Sequence, residues 1–330
     1  METYRLPLLS IIFAFAFASS ALAQTTTLPN LFVPARYSDE VAVINTSTNH
    51  VITQIPLGVG AYPIRIATTK DRLKAFVSDN HTSSISVLDT VALTNIATIP
   101  VERAPGENTI TPDGSQLWVI HQIPLQSDHQ HSPVDVIDTA TNLVITTVLI
   151  PGQGAKDILF TQDGRFAYIA NNTAGEVDVI DTTTYQVTSI PTGPGCRRLA
   201  FSPAGDRVYA TDNYGDKVSV IDTTTLTVIA TIPTGALCQQ LVITPDGTKV
   251  FIQNGFADTV SAIDTATHTV LATIPVGHHP WTIGLSPNSQ KLFVCNGHDT
   301  TVSVIDTASL TVSATVANVG SGPWDQAFGP

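Results

Sequence analysis

The stretch V-S-V-I-D-T-T-T-L-T-V-I-A-T-I-P-T-G, residues 218–235, decides the fold because its first five residues recur along the whole chain. Versions of this V-x-V-I-D pattern end at Asn45, Asp89, Asp138, Asp181, Asp222, Asp264 and Asp306. Their spacing is close to 42 residues, with one insertion of several residues before Asp138. Repeats of this length are typical of β-propellers and of helical solenoids, so the pattern within one repeat must distinguish them.

Each repeat contains four short runs that suit β-strands. In the last complete repeat the runs are 281–286, 291–295, 301–305 and 310–316. They are rich in Val, Ile, Thr and aromatic residues, and none is long enough for a typical helix. Turn sequences such as T-P-D-G separate them, and the Asp after the third run can form an Asx-turn. The sequence therefore predicts an all-β fold, a seven-bladed β-propeller of four-stranded antiparallel blades.

The two ends of the chain match different parts of one blade. Residues 31–33, L-F-V, match a second strand, whereas Pro323–Pro330 reads P-W-D-Q-A-F-G-P against P-W-T-I-G-L-S-P at Pro280–Pro287. The tail therefore resembles a first strand. We expect this C-terminal strand to complete the first blade and to close the propeller without an unpaired edge.

The N-terminus predicts export. Arg5 is followed by an apolar run over residues 6–20 and by the small-x-small sequence Ala21-Leu22-Ala23, which is typical of a cleaved signal peptide. The apolar run is shorter than the roughly 20 residues that span a bilayer. We expect residues 1–23 to be a signal peptide, residues 24–330 to be a single propeller domain, and the mature protein to be secreted or periplasmic without membrane insertion.

Composition limits the partners. Charged residues make up 13% of the chain, hydrophobic residues 43%, and the net charge is −12. Nucleic acid and anionic membranes would repel such a chain, so neither is an expected partner. The hydrophobic content is also too high for a disordered protein.

Several segments resemble a known repeat family. Y-I-A-N at 168–171 and F-V-C-N at 293–296 each precede a V-x-V-I-D-T strand, and I-P-T-G or I-P-V-G follows the fourth strand. These segments resemble the YVTN-type β-propeller repeats of exported bacterial and archaeal proteins. The chain departs from that pattern in the insertion 122–132 and in T-K-D-R at 69–72. Most members have no assigned function, and the related lactonase-type and redox-subunit propellers share no common catalytic motif, so the resemblance implies the fold and not the chemistry.

Aligning the first strands gives a polar position in every blade, which we expect to lie at the mouth of the central channel. Its members are Arg65, Glu107, Asp157, Arg198, Gln240, Thr282 and Asp325. Each Arg has an acidic neighbour, so one interpretation is a set of mutually satisfied ion pairs. The alternative is a ligand-binding mouth, in which Glu107 and Asp157 form a carboxylate pair for acid–base catalysis or for calcium.

Aromatic and histidine side chains are expected around the same mouth. The position before the polar one holds Lys156, Arg197, Gln239, Trp281 and Trp324. With His278 and His279, the two Trp residues can form a stacking surface for a planar or sugar ligand, or simply fill the space between blades. The loops between second and third strands add Tyr37, His81, Gln130, Thr173, Tyr214, Phe256 and His298.

The sequence gives little support for a metal or a cofactor. D-H-Q-H at 128–131 lacks the further ligands of a usual transition-metal site, and no phosphate loop, haem-attachment motif or nucleophile elbow occurs. Cys196 and Cys238 occupy equivalent repeat positions, and export permits a disulfide between them. Cys295 falls inside a strand and is expected to pack as a small apolar residue.

These observations favour a binding protein. We expect a monomer that recognises a small-molecule or protein ligand at the channel mouth, with no metal and no cofactor. A propeller enzyme, lactonase-like or redox-associated, is the alternative, with Glu107 and Asp157 as candidate catalytic groups. A structural component of the cell envelope is the second alternative.

Overall fold

The regular elements are all β-strands. The computed structural model describes residues 30–35, 37–45, 50–121, 131–152, 154–286, 288–299 and 301–317. Among these residues no helix is long and apolar enough to span a membrane. Sheet 1 contains β1 (Asn30–Ala35), β2 (Glu40–Asn45) and β3 (His50–Pro56). Sheet 2 contains β4 (Pro63–Thr68), β5 (Lys74–Asp79), β6 (Ser84–Asp89) and β7 (Thr94–Pro100). Sheet 3 contains β8 (Pro105–Ile110), β9 (Gln116–His121), β10 (His131–Asp138) and β11 (Leu143–Pro151).

Four further sheets follow the same plan. Sheet 4 contains β12 (Ala155–Phe160), β13 (Phe166–Asn171), β14 (Glu176–Asp181) and β15 (Val187–Pro191). Sheet 5 contains β16 (Cys196–Phe201), β17 (Arg207–Asp212), β18 (Lys217–Asp222) and β19 (Thr227–Pro233). Sheet 6 contains β20 (Cys238–Ile243), β21 (Lys249–Asn254), β22 (Thr259–Asp264) and β23 (Thr269–Pro275). Sheet 7 contains β24 (Pro280–Leu285), β25 (Lys291–Asn296), β26 (Thr301–Asp306) and β27 (Thr311–Ala317).

Each sheet is a simple antiparallel meander in chain order. Sheet 1 has three described strands, and β1 occupies the place of a second strand, as residues 31–33 predict. Pro323–Pro330, which we expect to supply the first strand of this sheet, lies outside the described residues, as does the expected signal peptide at 1–23.

Contacts divide the chain into two compact units. Unit 1 comprises the described residues of 1–125 and 133–149 and so carries sheets 1 and 2 and most of sheet 3. Unit 2 comprises the described residues of 126–132 and 150–328 and carries sheets 4 to 7. Each unit has its own hydrophobic core.

The core of each unit lies between consecutive sheets. In unit 1, Phe76 and Ile85 of sheet 2 pack with Leu117 of sheet 3. In unit 2, Tyr168 of sheet 4 packs with Val208 of sheet 5. Second and third strands are buried on both faces, whereas the outer fourth strands alternate between exposed and covered side chains. This burial explains the low charge content, because few strand positions face water.

The repeated Asp at the end of the third strand forms the expected Asx-turn. Asp222 Oδ1 accepts hydrogen bonds from the backbone N–H groups of Thr224 and Thr225, each at 2.9 Å. These hydrogen bonds hold the pKa of Asp222 below its ordinary value. The same arrangement occurs at Asp89, Asp138, Asp181, Asp264 and Asp306. The repeated Asp is therefore explained by its role in the turn that follows the third strand.

Candidate functional site

The candidate site lies on the face formed by two kinds of loop, those that lead into first strands and those that join second to third strands. We call this the upper face of each unit. Acidic residues with positive φ connect the two kinds of loop. Asp39 accepts hydrogen bonds from the N–H groups of Gly60 (2.7 Å) and Tyr62 (2.9 Å), which lower its pKa. Asp258 likewise accepts one from His279 at 2.7 Å. The loops are thus fixed by hydrogen bonds to the backbone.

Every described first strand begins with an irregularity that redirects side chains. The pairing of β12 with β13 shifts register between Ala155 and Asp157, so Lys156 is the extra residue of a β-bulge. The equivalent extra residues of β16 and β24 are Arg197 and Trp281. A bulge places two consecutive side chains where regular alternation would place one. Hence the polar position and the position before it both contribute to the upper face.

Among the described residues, the polar position of the first strands contains two ion pairs. In unit 1, Arg65 Nε lies 2.7 Å from Glu107 Oε2. In unit 2, Arg198 Nη1 lies 3.4 Å from Asp157 Oδ1, and Asp157 Oδ2 accepts a hydrogen bond of 2.9 Å from the N–H of Leu199. These contacts agree with the mutually satisfied interpretation for four of the seven residues. Each candidate catalytic carboxylate is therefore paired with an arginine.

The remaining members of that position are neutral or undescribed. The N–H of Gln240 donates to Gln253 Oε1 at 3.2 Å, and Thr282 is buried. Asp325 and Trp324 lie outside the described residues.

Four aromatic rings gather on the upper face of unit 2. The imidazole of His279 stacks on His298, with centroids 4.4 Å apart and planes at 12°. Trp281 meets His279 edge-on at 5.1 Å, and Phe256 lies 5.2 Å from the same ring. We call Phe256, His279, Trp281 and His298 the aromatic cluster. It combines residues from both expected aromatic positions.

The aromatic cluster is held rigidly and still reaches solvent. The indole of Trp281 lies so close to Gly297 that a Cβ on that residue would overlap it. Burial and the neighbouring His298 lower the pKa of His279, so its ring is neutral at pH 7. Phe256 remains 70% exposed and His298 is also exposed. The cluster therefore presents aromatic surface on a fixed backbone.

A smaller aromatic group occupies the upper face of unit 1. Tyr62 stacks on His81 at 3.9 Å with planes at 4°, and Tyr37 meets Tyr62 edge-on at 5.7 Å. Tyr62 precedes its first strand as His279 does, and both have positive φ. Tyr62 was not predicted as a site residue; the signal for it in the sequence is its place directly before Pro63, which begins β4.

A buried polar pair that was not predicted from the sequence recurs in sheets 2 to 7. The last residue of the second strand bonds to a residue in the middle of the third strand, seven positions later in five of the six sheets. The pairs are Asp79–Ser86, His121–Asp135, Asn171–Asp178, Asp212–Ser219, Asn254–Ser261 and Asn296–Ser303. All twelve residues are buried, so they belong to the scaffold and not to the upper face.

The expected disulfide is absent, since Cys196 and Cys238 are free, buried thiols. They face different cores: Cys196 packs with residues of sheets 4 and 5, and Cys238 with residues of sheets 5 and 6. Burial raises the pKa of Cys238 to about 11 and raises that of Cys196 as well, so neither is a nucleophile. Cys295 is buried as expected.

Within the described ranges, no group of three or more His, Cys, Asp or Glu residues is arranged to hold a metal ion. Of the D-H-Q-H segment, residues 128–130 lie outside those ranges. A shallow cleft of about 380 Å³ lies on the opposite face of unit 2. Its lining includes Thr244, Asp246 and Lys249, and the Thr244 hydroxyl already donates to Asp246 at 2.5 Å. These residues form a turn, and nothing about the cleft suggests a reaction.

Comparison with known proteins agrees with this architecture. Residues 181–322, under half of the chain, match the family described as "Lactonase, 7-bladed beta-propeller". The seven-bladed β-propeller protein Rv1057 of Mycobacterium tuberculosis is 30% identical over 182 residues. That alignment covers 46% of this chain and 46% of the relative, so the two share less than half of either length.

Solved structures resemble the chain in fold alone. Hydrazine synthase from Kuenenia stuttgartiensis superposes with a TM-score of 0.65 at 19% identity, covering 89% of this chain and 99% of the other. Dihydro-haem d1 dehydrogenase NirN in complex with DHE gives a TM-score of 0.75 at 13% identity, covering 91% and 66%. The strand pattern, the family match and these superpositions together establish that this chain is a seven-bladed β-propeller.

Proposed function

We propose that this chain is an exported, YVTN-type β-propeller that binds a small-molecule or protein ligand at its upper face. The observation that carries the proposal is the aromatic cluster, whose rings are fixed by a bulge and by the Asp258 hydrogen bond while Phe256 stays exposed. Rigid aromatic side chains supply contact area at low entropic cost, and they bind planar molecules and sugar faces.

Two further features support binding in preference to catalysis. Glu107 and Asp157 are each paired with an arginine, so neither resembles an isolated general base. The buried thiols of Cys196 and Cys238 have raised pKa values, which removes them as nucleophiles. Export rests on the N-terminal sequence pattern alone, and N-terminal sequencing of the protein recovered outside the cytoplasm would test it.

Removal of either exposed ring should weaken ligand binding without unfolding the protein. We expect Phe256→Ala and His298→Ala to weaken any ligand of the cluster by about tenfold each, because each ring offers one stacking face. Exposed positions of this kind change stability by only about 0.5 kcal/mol. Thermal-shift screening of methyl glycosides and neutral aromatic compounds identifies a ligand, and calorimetric titration of the variants measures the loss.

The matched control is Leu143→Ala on the outer strand β11, where the side chain is also exposed. It should leave affinity unchanged. If no compound binds the wild type, or if the affinity is unchanged in both ring variants, the cluster is not a binding surface.

A lactone hydrolase is the second candidate, favoured by the family match over residues 181–322. Under this alternative, Glu107→Gln or Asp157→Asn lowers hydrolysis of γ- and δ-lactones while the melting temperature stays near that of the wild type. A wild-type protein that does not accelerate lactone hydrolysis above buffer would eliminate this candidate.

A further inference from the structure

Cationic side chains are unevenly distributed in this acidic chain. The sequence carries 15 Lys and Arg against 27 Asp and Glu. Three of those cations, Lys156, Arg197 and Arg198, nevertheless belong to neighbouring first strands, β12 and β16, at the upper face of unit 2. The one acidic residue beside them is Asp157, which follows Lys156 on β12. These four side chains therefore carry a formal charge of +2.

The backbone holds this group together. Asp157 Oδ2 accepts the hydrogen bond from the N–H of Leu199, and Asp157 Oδ1 pairs with Arg198. The contact joins β12 to β16 directly beside Lys156 and Arg197, which are the extra residues of their two bulges. Because a bulge brings its extra side chain out beside the next one, each strand presents two side chains here, not one. The cations are thus placed by main-chain geometry.

Lys156 is accessible to solvent and is repelled by the neighbouring positive charges of Arg197 and Arg198. Its side chain is exposed, and its ammonium group donates no hydrogen bond to any residue in the described ranges. Burial of part of the group, then repulsion from Arg197 and Arg198, lowers the pKa of Lys156. A bound anion would relieve that repulsion. Arg and Lys together also match the geometry of carboxylate and phosphate oxygens.

The next two sheets extend the surface in a graded way. After the cations of sheets 4 and 5, the equivalent bulge positions hold Gln239 in sheet 6 and Trp281 in sheet 7. Trp281 belongs to the aromatic cluster. Charge, amide and aromatic surface therefore follow one another across consecutive blades of unit 2.

We propose that Lys156 and Arg197 form an anion subsite that receives the carboxylate or phosphate group of the ligand. This inference rests on the proposed function and names the ligand class: an anionic small molecule. Arg198 is the positioning residue, since its pairing with Asp157 ties the two strands together.

The test uses two probes, inorganic phosphate and citrate, each titrated calorimetrically into the full-length protein at constant ionic strength. We expect saturable binding of at least one probe by the wild type. Lys156→Gln and Arg197→Gln should each weaken it by about tenfold, because each removes one charge-assisted contact. The matched control, Arg165→Gln, removes an exposed cation from the turn between β12 and β13 and should leave the affinity unchanged. A preference for phosphate or for citrate identifies which oxyanion the subsite takes.

Two outcomes would overturn the subsite: no saturable binding of either probe by the wild type, or unchanged affinity in both variants whose melting temperatures match the wild type. Neither would by itself refute recognition at the upper face. A neutral glycoside or aromatic compound that still binds through Phe256 and His298 would leave the proposed function standing.

Discussion

Asp79→Asn should make the protein more stable at pH 8 and leave its stability at pH 4.5 nearly unchanged. Asp79 is buried, its Oδ2 accepts a 2.6 Å hydrogen bond from Ser86, and its Oδ1 has no partner among the described residues. Burial raises the pKa of Asp79 to about 7, although hydrogen bonds from Ser86 and Ser84 oppose the increase. Ionising this carboxyl group in the folded protein is therefore unfavourable.

The direction of the pH effect follows from proton linkage. The unfolded carboxyl has a pKa near 3.9, so between about pH 4 and pH 7 the folded state binds more protons than the unfolded state. Stability from this group is complete below about pH 4 and is lost as pH rises through about 7. The largest possible loss is about 4 kcal/mol, and we expect Asp79→Asn to recover about 2–4 kcal/mol at pH 8.

The chain itself shows that asparagine fits this position. In sheet 6 the equivalent Asn254 donates to Thr259 Oγ1 at 3.1 Å and to Ser261 Oγ at 2.9 Å. The corresponding residues of sheet 2 are Ser84 and Ser86, which offer the same hydroxyl acceptors. Calorimetric melting at pH 4.5 and pH 8 measures the effect, at about 2 °C per kcal/mol for a chain of this size.

The matched control runs in the opposite direction. Asn254→Asp places a carboxyl in an equivalent buried pair and should lower the melting temperature at pH 8 far more than at pH 4.5. If Asp79→Asn changed the melting temperature by the same amount at pH 4.5 and at pH 8, the linkage argument would be wrong.

The repeat made most of the fold predictable, because its period and its turn residues are local signals. Strands expected at 291–295 and 301–305 appear as Lys291–Asn296 and Thr301–Asp306. The expected Asx-turns form because one Asp side chain and the next backbone N–H groups suffice. Neither feature depends on which blades are neighbours.

Parts of the site could not be predicted from the sequence, because they depend on contacts between strands that the alternation of polar and apolar residues does not specify. Strict alternation of side chains along a strand places Lys156 and Asp157 on opposite faces of the sheet. The bulge instead sets both residues opposite a single residue of β13, Ala170. Repeat equivalence put Cys196 beside Cys238, but equivalent residues of successive blades point into successive cores. The buried Asp79 was also unexpected, since a carboxylate normally indicates surface.

Breaking the buried pair of sheet 3 should give the largest loss of stability, and grafting the pair of sheet 6 should recover part of it. His121 Nε2 lies 2.9 Å from Asp135 Oδ2, the Thr147 hydroxyl donates to Asp135 Oδ1 at 2.6 Å, and His121 Nδ1 contacts the carbonyl of Arg103. The side chains of His121 and Asp135 are 0% and 3% exposed. Burial acts to raise the pKa of Asp135, but hydrogen bonds from His121 and Thr147 outweigh it and the pKa is lowered.

Asp135→Ser removes the carboxylate that His121 contacts, whereas His121→Asn leaves Asp135 the longer contact of 3.2 Å that Asn171 makes to Asp178 in sheet 4. We expect His121→Asn to cost about 1 kcal/mol and Asp135→Ser about 3 kcal/mol, because the first weakens a buried hydrogen bond and the second leaves the buried His121 ring without its acceptor. The double variant creates the Asn–Ser pair that Asn254 and Ser261 already form in sheet 6. It should therefore cost about 2 kcal/mol less than the sum of the single changes. Because the folded pKa of Asp135 is lowered, its contribution is present above about pH 4 and falls as pH drops below that value. Thermal melting of the wild type, the two single variants and the double variant at pH 7 and pH 3.5 measures both effects. Strictly additive losses of stability would show that the pair acts as two independent groups. A double variant that loses less stability at pH 7 than the sum of the single changes would show that the repeat position tolerates any pair whose members satisfy each other.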